Sequence, residues 1–254
     1  MGFIWVWILL GLGTTGRGSI DSGSSGINSF FNQRTDHLPS DYDRRLRPYH
    51  GGRPLKVYVN VHVQTGYWHR HQLTTVLYIR QLWRDDRISQ HNTQLGDMVL
   101  GPEFVYSLWT PDIFVPTSLE VEKYPQEVSV RLTPEGDILK SERIKVVTPC
   151  RSNIQRLSEH NPHHTNCSIP LESFRYTTDD VALGWQDRLT GVTISEEDRT
   201  MKIHRITWDE ATIRVSTGSY SRLNLYLDLE TQPLFKLETC IHQCFEGDLR
   251  DLPR

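Results

Sequence analysis

Between residues 57 and 63 the chain alternates with a period of two. Val57, Val59, Val61 and Val63 fall on one side, and Tyr58, Asn60 and His62 on the other, the pattern of a half-buried strand. Leu73, Thr75, Leu77 and Ile79 repeat it against Thr74, Val76, Tyr78 and Arg80. Val128, Val130 and Leu132 lead into the turn Pro134-Glu135-Gly136, and residues 138–147 return, which predicts a hairpin. Ile169, Leu171 and Ser173 alternate with Glu172 and Phe174 and end in a Thr-Thr-Asp-Asp turn. Leu223, Leu225, Leu227 and Leu229 give the clearest alternation of all. Only one helix is predicted. Leu38, Tyr42 and Leu46 recur at helical spacing in a polar stretch, which places a short amphipathic helix around residues 40–46, stopped before Pro48. There is no internal repeat and no βαβ pattern. Strands of this spacing, separated by Gly, Pro, Asn and Asp turns, predict an all-β, immunoglobulin-like β-sandwich.

Composition narrows the setting. The chain has 254 residues, 37 % of them hydrophobic and 23 % charged, enough for a core and a polar surface. A net charge of −3 gives no reason to expect a nucleic-acid partner. The first thirteen residues, MGFIWVWILLGLG, are apolar but shorter than a membrane span. They predict a secretory signal peptide over residues 1–18, followed by a Gly/Ser-rich disordered linker over 19–37. Its basic leading region is missing, and a buried core helix is the plain alternative. Export implies an oxidising compartment in which the four cysteines can pair, and Asn166-Cys167-Ser168 is the one glycosylation sequon.

No enzyme motif is present: no G-x-S-x-G, no H-E-x-x-H and no phosphate loop. Residues 240–254 lose the alternation and form a polar tail with Cys240-Ile-His-Gln-Cys244. Those two cysteines are free to pair with each other, to join subunits or to stay reduced. As a metal site they lack a fourth ligand. His160, His163 and His164 sit in a polar loop and read as solvated. No cofactor and no metal are expected.

Several motifs fall in an order that resembles the extracellular ligand-binding domain of the Cys-loop receptors, the pentameric ligand-gated ion channels, in their GABA- and glycine-type anion-channel branch. SDYDRRLRPYHGGRPLKVYVNVHV resembles that family's first helix and strand, and LYIRQLWRDDRI its Trp-x-Asp-x-Arg strand. Trp109-Thr110-Pro111-Asp112 matches Trp-x-Pro-Asp, and STGSYSRLNLYL the hairpin that caps the pocket. LESFRYTTDD, after two cysteines with sixteen residues between them, looks like the disulfide loop and the binding loop behind it. The likeness runs over residues 38–239. It implies a ten-stranded sandwich with an N-terminal helix, a Cys150–Cys167 disulfide, and a ring of five with ligand pockets between neighbours.

The same resemblance assigns site residues. One face of each interface would offer Phe114, Glu172, Phe174, Thr217 and Tyr220. The neighbouring face would offer Tyr78, Arg80, Arg131 and Ser141. The chemistry suits an amino-acid transmitter. A guanidinium pairs bidentately with a carboxylate, and aromatic faces hold an ammonium at roughly 0.5–2 kcal/mol each. In GABA-type receptors the arginine matching Arg80 meets the ligand carboxylate, and the glutamate matching Glu172 meets the ammonium. Each residue also has a plain alternative: Tyr78 and Arg80 as an exposed face or subunit contact, Phe114 and Phe174 as core, Glu172 paired with an arginine. Trp83, Asp85, Trp109 and Asp112 match the family's scaffold, Asp112 as a backbone-bonding turn residue.

Three departures shape the functional expectation. The loop RSNIQRLSEHNPHHTN is longer than the family's and lacks its Phe-Pro core. LFKLETC starts like a first membrane helix but carries Lys236 and Glu238, and Val215 stands where the family often has an aromatic. The first two favour a soluble, secreted, homopentameric binder of a small amine or amino acid, GABA-like, without a pore, and the third leaves the expected aromatic cage incomplete. The alternative is the extracellular part of an anion-selective channel subunit, shortened by splicing, with the membrane as partner only in that case. An adhesion module that kept the fold and lost the pocket is a third reading.

Overall fold

A computed structural model describes residues 38–69, 71–89, 96–152, 163–187, 191–195 and 202–231. The expected signal peptide, linker, C-terminal tail with Cys240 and Cys244, and His160 lie outside these residues, as do the side chains of His163 and His164. Eleven strands are present among them: β1 (Leu55–His69), β2 (Gln72–Arg84), β3 (Met98–Leu100), β4 (Ile113–Phe114), β5 (Glu120–Leu132), β6 (Asp137–Ser152), β7 (His163–Ser173), β8 (Val181–Trp185), β9 (Val192–Ile194), β10 (Ile203–Val215) and β11 (Gly218–Thr231). One helical turn, α1 (Asp86–Ser89), follows β2, and a 3-10 turn spans Pro102–Ser107.

The strands run in the order β10-β11-β7-β6-β2-β1-β8. Strand β6 belongs to both layers. Most of its length pairs with β2 and β5, and its end pairs with β7, where Cys150 faces Cys167. The expected disulfide is formed there. It fastens the two layers where the sheet folds over. The layers meet again at their far edges. Ser221 Oγ accepts from Leu183 N–H at 3.0 Å, Glu210 Oε1 from Trp185 N–H at 2.9 Å, and Asp209 carbonyl from Trp185 Nε1 at 3.0 Å. The result is a sandwich nearly closed into a barrel.

The alternation read from the sequence sets which side chains lie between the layers. Val57, Val59, Val61 and Val63 are fully buried, as are Leu73, Leu77, Leu223 and Leu227. Ile169, Leu171 and Ser173 face inward, so Glu172 faces outward. Trp83 and Trp109 meet edge to face inside the core, 6.2 Å apart. At the β5–β6 turn Gly136 takes φ 85°, a left-handed conformation that costs glycine little.

The helix expected over residues 40–46 is replaced by successive turns. Backbone bonds run three residues back, from Tyr42 to Pro39, Leu46 to Asp43 and His50 to Arg47. The reason is local competition for backbone groups. Asp43 Oδ1 accepts the N–H of Arg45 at 2.9 Å. Arg47, only 5 % exposed, turns inward and donates to the carbonyls of Pro48, Tyr49 and Arg53 and to Asp180 Oδ1. Leu38 and Tyr42 still pack on the core. Tyr42 Oη donates to Asp85 Oδ2 at 3.0 Å and accepts from Trp109 N–H at 3.1 Å. Burial and the Asp85 carboxylate push the Tyr42 hydroxyl well above the ordinary tyrosine range.

Candidate ligand-binding site

Two groups of candidate residues form, one on each outer face of the sandwich. The first is built on β4, β7 and the β10–β11 hairpin. Phe114 lies opposite Glu172 across β4 and β7, and Arg222 lies opposite Glu172 across β7 and β11. Phe114 and Phe174 pack edge to face with centroids 5.4 Å apart. Phe174 is 69 % exposed, so this pair is a surface feature rather than core. The Glu172 carboxylate, with 12 % of its side chain exposed, receives Arg222 through Nε at 2.7 Å and Nη2 at 2.6 Å.

The hairpin tip is held in place by backbone. Thr178 N–H donates to Ser219 carbonyl at 2.8 Å, so the Thr-Thr-Asp-Asp turn after β7 fastens the hairpin. Gly218 has φ 142°, and a Cβ there would stand 2.8 Å from Thr177 Cγ2. Thr217 Oγ1 and Tyr220 Oη are 3.2 Å apart. Val215 is exposed at the hairpin's tip, opposite Gly218, and adds no ring. Behind this group, Asp112 accepts from Ser173 Oγ at 2.6 Å and from the N–H and Nε of Arg175 at 2.8 and 3.0 Å. Its backbone partner is therefore in the loop that follows β7 and not in its own turn. Trp109 Nε1 donates to Tyr176 Oη at 3.0 Å. The Trp-x-Pro-Asp motif thus fixes the loop that carries Glu172 and Phe174.

The second group lies on the outer face of β1, β2, β5 and β6. Arg80 is flanked by Asn60 on β1 and Ser141 on β6, with Ser129 of β5 beyond Ser141. Asn60 Oδ1 accepts from Arg80 Nη1 at 3.0 Å, which orients the guanidinium without neutralising it. One row along, Tyr78 is flanked by His62 and Arg143. The His62 and Tyr78 rings are 6.2 Å apart, and His62 Nδ1 is 2.9 Å from Thr193 Oγ1. Burial, with the Arg80 charge added, holds the His62 imidazole below its ordinary value. Arg143 is committed to Gln64 and Glu127 and lies over the Tyr124 ring. Arg131 is exposed on the same face, two residues along β5 from Ser129.

Sequence reasoning missed Arg222, Asn60 and His62. Their outward side was legible, because each alternates with buried neighbours. Their partners were not, since those depend on strand register. The two groups themselves do not meet in one chain: the layers face each other through the core, so their outer faces point apart. Each group is chemically incomplete. One has a guanidinium with no carboxylate partner among the described residues, the other an aromatic pair beside an already paired carboxylate.

A family model described as "Neurotransmitter-gated ion-channel ligand binding domain" matches residues 32–233. The chain is 29 % identical to "Gamma-aminobutyric acid receptor subunit beta-4" of Gallus gallus, over 80 % of this chain and 43 % of that protein. It is 30 % identical to "Gamma-aminobutyric acid receptor subunit beta" of Lymnaea stagnalis, over 77 % of this chain and 42 % of that protein. For the Caenorhabditis elegans protein of that name the figures are 27 %, 74 % and 35 %. The chain spans less than half the length of these relatives. Among the described residues no helix is long and apolar enough to cross a membrane.

Proposed function

Because this chain belongs to the neurotransmitter-gated ion-channel ligand-binding domains, in the GABA-type branch of the Cys-loop receptors, we propose that it binds a GABA-like amine or amino acid between adjacent copies in a homopentamer. The observation that carries this reading is the division of the site residues. Arg80, with Tyr78, Arg131 and Ser141, lies on one outer face, and Phe114, Glu172, Phe174, Thr217 and Tyr220 on the opposite one. A zwitterion that needs both a guanidinium and an aromatic–carboxylate corner finds them only where two copies abut. The ligand carboxylate goes to Arg80, and the ammonium to the Phe114–Phe174 pair and Glu172. The ammonium must then share Glu172 with Arg222.

The proposal includes secretion, with residues 1–18 as a signal peptide, and glycosylation at Asn166. Asn166 is exposed on β7, which supports the latter. The test is light scattering and calorimetric titration on the secreted protein. A pentamer that binds GABA or a related ω-amino acid, and loses at least tenfold in affinity in Arg80→Ala, is expected. A monomer without affinity for amine or amino-acid transmitters sinks the reading. The alternative is the extracellular part of a channel subunit, and it is favoured by the relatives being receptor subunits more than twice the matched length. Sequencing transcripts past the Arg254 codon separates the two: an in-frame continuation with four apolar spans selects the channel.

A further inference from the structure

Between the layers, directly behind Phe114, the described residues enclose a cavity of about 240 Å³. This is smaller than the 300 Å³ or so at which pockets for drug-sized ligands begin. Its walls are Ile79 and Ile144 from one layer and Ile113, Val115 and Leu171 from the other. It opens beside the first half of β5, whose pairing with β6 is interrupted between Lys123 and Val128. At this mouth Val121 is 41 % exposed, an apolar side chain left in water.

The charges around the cavity are unequal. Glu142 lines it but is already engaged, accepting from Lys140 Nζ at 3.0 Å and Gln81 Nε2 at 2.9 Å through one oxygen. Lys123 also lines it and has no hydrogen-bond or ion-pair partner among the described residues. Burial pushes the Lys140 ammonium down, and the nearby Lys123 charge pushes it further, while Glu142 opposes both. Glu142 therefore answers the Lys140 ammonium, and the Lys123 ammonium is left without a carboxylate partner among the described residues. An anion at the mouth would meet an unanswered cation. A ligand ammonium would meet a carboxylate already neutralised.

We infer that this cavity is a second binding site, for a small aliphatic monocarboxylate whose chain fills the space behind Phe114 and whose carboxylate meets Lys123. The site is within one chain and does not depend on a transmitter binding at the outer faces. Phe114 lines it and also pairs with Phe174 outside. Occupancy thus supports one wall of the proposed transmitter site from behind.

The experiment is ligand-observed NMR on the full chain with hexanoate, hexanol and hexylamine as probes, without any transmitter. Hexanoate should bind several-fold more tightly than hexanol, and hexylamine should not compete with it. Lys123→Gln, a change at an exposed residue, should weaken hexanoate about three- to fivefold, as loss of a partly solvated ion pair does, and leave hexanol unchanged. Raising salt should weaken hexanoate alone. Ile113→Phe, which adds bulk to the wall, should abolish both, with cooperative unfolding as the check on its fold. Equal binding of hexanol and hexanoate, displacement of hexanoate by hexylamine, unchanged hexanoate affinity in Lys123→Gln, or no binding at all overturns the inference. The Lys123→Gln comparison decides even if Ile113→Phe does not fold.

Discussion

Replacing Arg222 by methionine keeps the bulk of the side chain on β11 and removes its charge. Glu172 is then left with only 12 % of its side chain exposed and without its cation. The gross attraction of two unit charges about 4 Å apart is about 4 kcal/mol at the effective dielectric near a protein surface. Desolvation and side-chain ordering cancel much of that. Loss of hydrogen bonds to a charged group costs about 1.5–3 kcal/mol. Arg222 is a quarter exposed, which moves the figure to the lower half, about 2 kcal/mol. For a domain of this size that is a fall in Tm of about 4–8 °C. Glu172→Gln should cost less, about 1 kcal/mol, because a neutral amide still accepts from Arg222. The double variant should be less destabilised than the sum, by about 1–1.5 kcal/mol. Urea midpoints of the four proteins give this coupling directly. A coupling below about 0.3 kcal/mol refutes the pairing, because sites that do not interact add within that margin. The same four proteins address ligand competition. If an ammonium shares Glu172 with Arg222, Arg222→Met should strengthen amine binding while it weakens the fold.

Other outcomes follow from single features. Cys150→Ser with Cys167→Ser opens a loop spanning 17 positions and should cost roughly 3 kcal/mol, read as a lower urea midpoint that reductant no longer shifts. Gly218→Ala places a Cβ 2.8 Å from Thr177 at φ 142° and should cost about 1–3 kcal/mol, with the hairpin amides exchanging faster. His62 is held below its ordinary value of 6.5, so folding favours its neutral form. Its contribution is whole above that value and is lost as pH falls through it toward the folded one. His62→Gln should therefore lose less stability than the parent between pH 7.5 and 5.5, and identical losses would refute the assignment.

The division of labour in this fold explains what the chain discloses. Alternation is a property of one strand, so the buried faces of β1, β2, β7 and β11 were legible, and with them the outward side of Arg80, Glu172 and Arg222. Pairing belongs to two strands. That Glu172 meets Arg222 depends on the register of β7 against β11, which no pattern within either strand encodes. The N-terminal turns show the same limit from another side. Helical spacing of Leu38, Tyr42 and Leu46 identified two residues that do pack on the core, Leu38 and Tyr42, but Leu46 is exposed, Arg47 reached inward for carbonyls and the helix did not form. Asp112 was readable as a scaffold residue. Its target, the backbone of Arg175, lies 63 positions away and becomes visible only when β4 is laid against β7. Side follows from parity and partner from register, and the proposed ligand site needs a third level. Opposite outer faces cannot converge within one sandwich, so a pocket using both Arg80 and Glu172 requires a second copy of the chain.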